Sequence, residues 1–297
     1  MSVIRLRCHV DDVASLKPQS PRSHFLDSGS FTLNKASRKF AKETGRSQWD
    51  YYDTPEFWAY CREYRDFVHE YQIAIDHYAN VDVIGNPELS WRNQQHLESL
   101  GMKPVPVVHY GSDLKWVKRY AESGHDYIAL GGLVGVSVVD ARPWLTRVFS
   151  AHPDLKFHGF GVTGFRVITG FPWHSVDSST WIKISIYGSV LVPPYRGREF
   201  RLGKSPRVVP VSFQTPGRKG HYLSMPEGEQ RIVRLWLREI GLRLGTEDDP
   251  NKGSCLPGVA NNTELRAIAN QLYFANLEQW LTENPPKPVK GVRGFFP

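Results

Sequence analysis

Cysteine is scarce in this chain, and its three copies form no recognisable disulfide or metal pattern. Cys8, Cys61 and Cys255 are odd in number and widely spaced, with no Cys-x-x-Cys pair among them. This spacing excludes a disulfide-stapled scaffold and a zinc centre built on cysteine. We therefore expect a reducing, cytoplasmic setting.

Long apolar runs and phosphate-loop motifs are also missing. No segment approaches the roughly 20 apolar residues of a membrane span, and the first residues, 1–8, show no apolar signal-peptide stretch. The sequence has no Gly-x-x-x-x-Gly-Lys-Ser/Thr loop, and its histidines are scattered without a His-x-x-x-His pair. We predict no metal site, no cofactor and no membrane partner.

Acidic residues are the minority among the charged side chains. The 297 residues include 37 Lys and Arg against 30 Asp and Glu, which gives a net charge of +7. Two stretches, 35–46 and 196–221, hold cations with almost no acids between them. A solvated basic loop is the simple explanation, whereas a polyanion passing the site is the functional one. The residues predicted to bind nucleic acid are Lys35, Arg38, Lys39, Arg196, Arg198, Arg201, Lys204, Arg207, Arg218 and Lys219.

Apolar, β-branched runs alternate with helical patterns through the first two thirds of the chain. The runs lie at 24–27, 79–84, 105–110, 127–131, 157–162 and 174–177. The helical patterns cover 54–72, 86–101, 113–124 and 142–150, and two more lie at about 227–243 and 263–282. Regular alternation predicts parallel strands joined by crossovers. We expect an α/β fold of the (β/α)8 TIM-barrel type, with an open doubly wound sheet as the alternative.

The expected organisation is a single catalytic domain over 1–297. Its core motifs lie in 24–181, and a basic nucleic-acid-binding insertion of short strands and loops follows at about 182–225. Two C-terminal helices occupy 227–284. In a barrel of this type the chemistry lies at the carboxyl ends of the strands. Polar and glycine residues mark those ends here, which favours a site on that rim.

Two of the predicted strands end in an aspartate followed by small residues. Asp27 precedes Ser28 and Gly29, and Asp177 precedes Ser178. Two carboxylates are what glycosyl transfer needs, one to attack the sugar and one to move the proton of the departing base. Helix N-capping is the alternative for either segment taken alone.

Other strand ends supply groups that suit a purine base. Asp82 lies in a Val- and Ile-rich run, where a buried carboxylate needs a partner such as an arginine, a backbone N–H or the N–H edge of guanine. His109 also ends a strand and is either structural or a hydrogen-bonding partner of a base. Gly131 and Gly132 allow close backbone approach to a flat ligand.

In this order, these motifs resemble the tRNA-guanine transglycosylase (queuine tRNA-ribosyltransferase) superfamily. The closest branch is the compact phage-type DNA 7-deazaguanine transglycosylases, which would place the protein in a bacterial host cell if a phage encodes it. The carrying segments are 27–31 (Asp-Ser-Gly-Ser-Phe), Asp82, His109 where the family commonly has Gln, 131–135 (Gly-Gly-Leu-Val-Gly), 159–162 (Gly-Phe-Gly-Val) and Asp177. The family's Cys/His zinc site and its Pro-Thr-Arg segment are absent from this chain.

The resemblance implies base exchange in nucleic acid, most readily in DNA, with tRNA as the alternative polymer. Asp177 would attack the anomeric carbon and Asp27 would transfer protons, while a 7-deazaguanine such as 7-cyano-7-deazaguanine replaces guanine. The residues that would hold the base are Asp82, His109, Gly131, Gly132, Leu133, Ser28, Gly29 and Gly161. A base glycosylase or hydrolase and a non-catalytic nucleic-acid-binding barrel are the other functions left open, and the oligomeric state is unknown.

Overall fold

The structure is a computed structural model, and it describes residues 24–162, 164–246 and 256–287. The chain divides into two compact units. Of the described residues, unit 1 contains 24–160 and 173–175, and unit 2 contains 161–162, 164–172, 176–246 and 256–287. The α/β class with parallel strands is confirmed, whereas a single domain over 1–297 stays a prediction. Cys8 and Cys255 lie outside the described residues.

Unit 1 alternates strands and helices along the chain. Its strands are β1 (Phe25–Leu26), β2 (His77–Tyr78), β3 (Val107–His109), β4 (Tyr127–Gly131), β5 (Lys156–Gly159) and the first residue of β6 (Ser175–Val176). Its helices are α1 (Ser30–Thr44), α2 (Pro55–Glu70), α3 (Pro87–Ser99), α4 (Lys115–Glu122) and α5 (Val138–Ala151). β1 pairs in parallel with β2, and β3, β4, β5 and β6 follow one another in a second sheet. The β3–β4 and β4–β5 pairs are parallel.

Local capping explains why the predicted helices α2 and α3 begin where they do. The side chain of Thr54 accepts a hydrogen bond from the Phe57 amide at 3.2 Å, and that of Asn86 accepts one from the Leu89 amide at 3.0 Å. A proline follows each cap at the first helical position, where its missing N–H costs nothing. Both predicted helices are therefore confirmed, with their apolar stripes facing the core.

Helix α5 begins four residues before the predicted start at Arg142. Ser137 caps it by accepting from the Asp140 amide at 3.2 Å. Pro143 lies inside the helix, and a proline usually marks the first turn, which is why the pattern indicated a later start.

Of the predicted strand over 79–84, only the first residues pair like a strand: the Ala79 amide donates to the Leu26 carbonyl and the Asn80 amide to the Val105 carbonyl, both at 2.9 Å. Ala79 forms one parallel bridge to Val105, and β2 lies just before it. The Ala79 carbonyl accepts from the Tyr64 hydroxyl at 2.8 Å, and the Val81 carbonyl accepts from the Asn93 amide group at 2.8 Å. Side chains of α2 and α3 thus satisfy two carbonyls of this buried segment.

Unit 2 combines short strands with helices. Its helices are α6 (Phe165–Ile168), α7 (Thr180–Ile186), α8 (Glu227–Glu239) and α9 (Thr263–Glu283). Its strands are β7 (Ser189–Val192), β8 (Tyr195–Arg196), β9 (Glu199–Phe200) and β10 (Arg207–Pro210). β7 pairs antiparallel with β10, and β8 with β9. Within the described residues, no helix is long and apolar enough to cross a membrane.

The expectation of short strands and loops over about 182–225 is wrong for 182–186, which belong to helix α7. Ile182, Ile184 and Ile186 alternate like a strand, but packing against α9 decides the outcome. Arg266 of α9 donates to the Ser185 carbonyl at 2.8 Å, and such tertiary contacts override the weak local preference of β-branched residues. The helices predicted at 227–243 and 263–282 are present as α8 and α9.

Candidate active site

A buried hydrogen-bonded chain of polar side chains is the centre of the candidate site in unit 1. The hydroxyl of Ser30 donates to Oδ1 of Asp82 at 2.6 Å, and Nε2 of His109 lies 2.9 Å from Oδ2 of the same carboxylate. The hydroxyls of Ser28 and Ser30 are 2.8 Å apart. Asp82 is only 4% exposed. A hydrogen bond from Ser30 on one oxygen and the imidazole of His109 beside the other therefore surround this buried carboxyl group with polar partners.

This arrangement brings together residues that are far apart in sequence. Ser28 and Ser30 follow β1, Asp82 belongs to the segment held by α2 and α3, and His109 ends β3. In a parallel arrangement these positions follow the carboxyl ends of strands, where α/β proteins place ligands. Each Asp82 oxygen has a second lone pair, so the carboxylate keeps acceptor capacity for a ligand N–H group.

The two glycines after β4 have different structural roles. A Cβ at Gly131 would lie 2.9 Å from Cδ2 of His109, so the absence of a side chain makes room for the imidazole ring. Gly132 has a φ of +72°, which an L side chain rarely adopts. Gly131 also accepts a hydrogen bond from the Tyr110 amide at 2.8 Å. Leu133 is buried. The ring of His109 therefore lies between the carboxylate of Asp82 and the backbone of Gly131, which has no side chain.

Asp27 is exposed and lies three residues before the start of α1 in unit 1. Its Oδ1 accepts a hydrogen bond from the Gly29 amide at 3.1 Å, and Gly29 is the N-cap residue, in the left-handed region at φ 74°. The Tyr60 hydroxyl donates to the Ser28 carbonyl and ties this turn to α2. Burial raises the pKa of Tyr60, and the negative charge of Asp27 contributes to the rise. Asp27 therefore shapes the turn without being the helix cap itself.

Asp177 belongs to unit 2 and precedes α7. Its Oδ1 accepts a hydrogen bond from the Gly161 amide at 2.5 Å. Its residue surface is exposed, yet partial burial of the carboxylate raises the pKa of Asp177, while the bond from Gly161 works in the opposite direction. The N-cap of α7 is Ser179, with no side-chain capping bond. The hydroxyl of the neighbouring Ser178 accepts a hydrogen bond from the Thr180 amide at 2.9 Å, so the serine of this Asp-Ser pair satisfies an amide at the start of α7.

The cations predicted to bind nucleic acid are all exposed, but several already have partners within the protein. Arg201 pairs with Glu199 at 2.6 Å, and Arg207 pairs with Glu229 at 2.8 Å. Arg218 donates to the Tyr187 carbonyl and therefore has a structural role. On α1, Lys39 pairs weakly with Glu43, and Lys35 lies 4.5 Å from the ring centre of Phe31. Arg38 is exposed on the same helix.

Ser30 and the first helix were not among the predictions from sequence. Ser30 stands where the resembled family has a second glycine, and only the fold brings its hydroxyl to Asp82. The Ser-Gly-Ser spacing after Asp27 was the one available signal. Among the residues that the structure describes, no group of three His, Cys, Asp or Glu side chains is placed to hold a metal ion.

Comparisons of the chain with protein-family models, with curated proteins and with solved structures found no match. The resemblance to the transglycosylases therefore depends on the residues named above and on the contacts that they make.

Proposed function

We propose that this protein exchanges guanine in DNA for a 7-deazaguanine base through a covalent aspartyl–sugar intermediate. The observation that carries the proposal is the buried Asp82 carboxylate, held by Ser30 and His109 beside the Gly131 backbone. This group combines acceptor capacity with a flat, side-chain-free neighbour. That combination suits the N–H edge of a purine.

The proposal extends the α/β fold to a closed (β/α)8 barrel. Support comes from the aromatic side chains of unit 1. Phe25 of β1 stacks on His158 of β5, with ring centres 4.3 Å apart, and meets Phe160 edge-on at 5.4 Å. Side chains from strands that are not sheet neighbours make such contacts when they point into a common interior.

Each acid has one role in the proposed reaction. The carboxylate of Asp177 attacks the anomeric carbon, the bond to guanine breaks, and Asp27 supplies the proton that the departing base needs. Asp27 then removes the proton from the incoming base, which attacks the same carbon and releases Asp177. Two displacements retain the configuration of the sugar. The product base lacks the basic N7 of guanine and is the poorer leaving group, which favours exchange in one direction.

The target nucleotide leaves the base stack in this mechanism, because its glycosidic bond is unreachable inside a duplex. Asp82 and His109 hold the edge of the extruded base, together with the backbone at 131–133. The polymer is held by the exposed cations that lack an internal partner. Of the predicted set, the cations with no ion pair to a described residue include Arg196, Arg198, Lys204 and Lys219.

The test combines labelled guanine with duplex DNA, single-stranded DNA or tRNA, and asks which polymer takes up label. Wild-type protein should label DNA and form a denaturation-resistant DNA–protein adduct. Asp177→Asn should form no adduct, because an amide cannot attack. Asp154→Asn, an exposed aspartate outside the site, serves as the matched control and should behave like wild type.

Asp82→Asn extends this test to base recognition. It turns one acceptor into a donor and should weaken binding of free guanine by about 1–3 kcal/mol per spoiled contact. If only tRNA takes up label, the substrate is tRNA and not DNA. If guanine is released without uptake of label, the protein is a hydrolase. An Asp177→Asn variant that still exchanges guanine at the wild-type rate would disprove the mechanism.

A further inference from the structure

The two strands β8 and β9 form a small hairpin in unit 2 with the tightest connection a hairpin can have. Tyr195 lies opposite Phe200, and only Gly197 and Arg198 connect the strands. Both have positive φ, 59° and 65°. Positive φ at both central residues is the mark of a type I′ turn, whose twist matches that of the strands. The hairpin therefore ends in a narrow, well-defined tip.

Aromatic packing anchors the base of this hairpin to the rest of unit 2. The rings of Tyr195 and Phe200 lie 4.9 Å apart, and Phe200 meets Trp236 of α8 edge-on at 5.1 Å. A Cβ at Gly203 would lie 2.4 Å from the ring of Trp280 in α9, so the segment after β9 also packs closely. The hairpin and the segment after it thus pack against α8 and α9.

Arg198 has an unusual backbone for its residue type. Among the described residues it is the one non-glycine residue with positive φ. An arginine in the left-handed region is strained, and glycine or asparagine would adopt this turn position more easily. Arg198 is also exposed, so burial does not explain the choice. An outlier of this kind at an exposed tip points to a function for the side chain.

The charge around the tip is positive and partly uncompensated. Glu199 is neutralised by Arg201, whose Nη1 lies 2.6 Å from the Glu199 carboxylate. Arg196 and Arg198 have no carboxylate within 4.0 Å among the described residues. Gly197 contributes no side chain, so Arg198 is the one side chain of the turn itself. The hairpin presents a single arginine at its apex and a second beside it.

We propose that this hairpin inserts Arg198 into the minor groove of duplex DNA. The minor groove is only about 6 Å wide, so a narrow turn at its edge can insert one side chain, and Arg198 is the one side chain of this turn. Arginine suits this groove because its guanidinium is weakly hydrated and the narrow groove of A·T runs concentrates negative potential. Arg196 contacts a phosphate at the groove edge. The inference depends on the proposed function only for the choice of DNA as the polymer.

The test measures binding rather than base exchange, so that the two proposals fail separately. Fluorescence anisotropy would compare two duplexes of equal length, one with a central A·T run and one of G·C pairs, over a range of salt concentrations. The variants are Arg198→Gly, Arg198→Lys and Lys219→Gly. Glycine adopts φ 65° without steric strain, so Arg198→Gly should keep the hairpin. The melting temperature of this variant should match or exceed that of wild type.

Wild type should prefer the A·T duplex, and Arg198→Gly should lose about fivefold or more in affinity for it. That variant should bind both duplexes almost equally, and Arg198→Lys should fall between. Lys219→Gly removes the same charge from another exposed turn and should keep the preference for A·T pairs. Its salt slope should flatten by about 0.9 at most, the contribution of one phosphate contact.

Equal loss on both duplexes would make Arg198 a phosphate ligand and overturn the groove assignment. Unchanged binding of Arg198→Gly, or wild-type binding to RNA but not to duplex DNA, would also overturn it. Duplex binding with the expected Arg198 effect but without any base exchange would refute the proposed function and leave this inference standing.

Discussion

Gly131→Ala is the substitution that tests most directly how the candidate site is built. The backbone at Gly131 does not have positive φ, so alanine suits the main chain, and any effect comes from the added methyl group. That Cβ would lie 2.9 Å from Cδ2 of His109 and 3.3 Å from both its Nε2 and Cγ1 of Val107. Because Val107 crowds the methyl as well, the imidazole ring has to move.

The expected size of the effect follows from these distances. Carbon atoms in contact prefer about 3.5–4.0 Å, so the ring of His109 must shift by several tenths of an ångström or more. Its 2.9 Å contact with Asp82 is then stretched or broken. Crowding of this kind costs about 1–3 kcal/mol, and the weakened bond to a buried carboxylate adds to that cost.

Thermal unfolding and histidine NMR together form the assay. A loss of 1–3 kcal/mol should lower the melting temperature of a domain this size by roughly 2–12 °C, and the Nε2 resonance of His109 should shift. Gly217→Ala is the matched control, because nothing lies within 4 Å of its added Cβ, and it should stay within about 0.5 kcal/mol of wild type. A Gly131→Ala variant that melts like this control, with an unshifted His109 resonance, would refute the proposed packing.

Two further predictions concern pH. Burial raises the pKa of Asp177, and only its carboxylate attacks, so the acid limb of the base-exchange rate should lie above the ordinary aspartate value of about 3.9; a limb at or below that value would contradict the assignment. Burial, with smaller contributions from His77 and His174, lowers the pKa of His158 to about 4. The unfolded chain therefore binds a proton at His158 below about pH 6.5, whereas the folded chain binds it only near pH 4. The free energy of unfolding keeps its full value above this pH range and decreases as the pH falls through it, by about 2 kcal/mol from pH 7 to pH 5. Urea unfolding at both pH values should show that loss for wild type and a clearly smaller one for His158→Gln, and equal losses would show that His158 is not the group responsible.

Elements defined by neighbouring residues were predictable from the sequence. The pairs Thr54-Pro55 and Asn86-Pro87 carry a cap and a first-turn proline next to each other, and α2 and α3 begin there. The alternation of apolar runs and helices likewise indicated parallel strands. Such signals are local, because a cap or a stripe involves residues within a few positions of one another.

Elements defined by distant partners were not predictable in the same way. Residues 181–186 have the alternation of a strand, yet contacts with Arg266 and Asn270 of α9 make them helical. The run over 79–84 has the composition of a strand, yet the side chains of Tyr64 and Asn93 donate to two of its carbonyls, which a neighbouring strand would otherwise bond. In both segments tertiary partners outweigh a preference that is worth little per residue.

The same distinction between local and distant partners applies to the candidate site. The sequence by itself determined which side chains end the predicted strands, and so it predicted Asp82 and His109 as candidate site residues. It did not determine that Ser30 would donate to Asp82 across 52 positions, or that the bare backbone at Gly131 would make room for the ring of His109. Those contacts exist only after the strands and helices pack, because a side chain reaches only a few ångströms and folding alone brings such distant residues together.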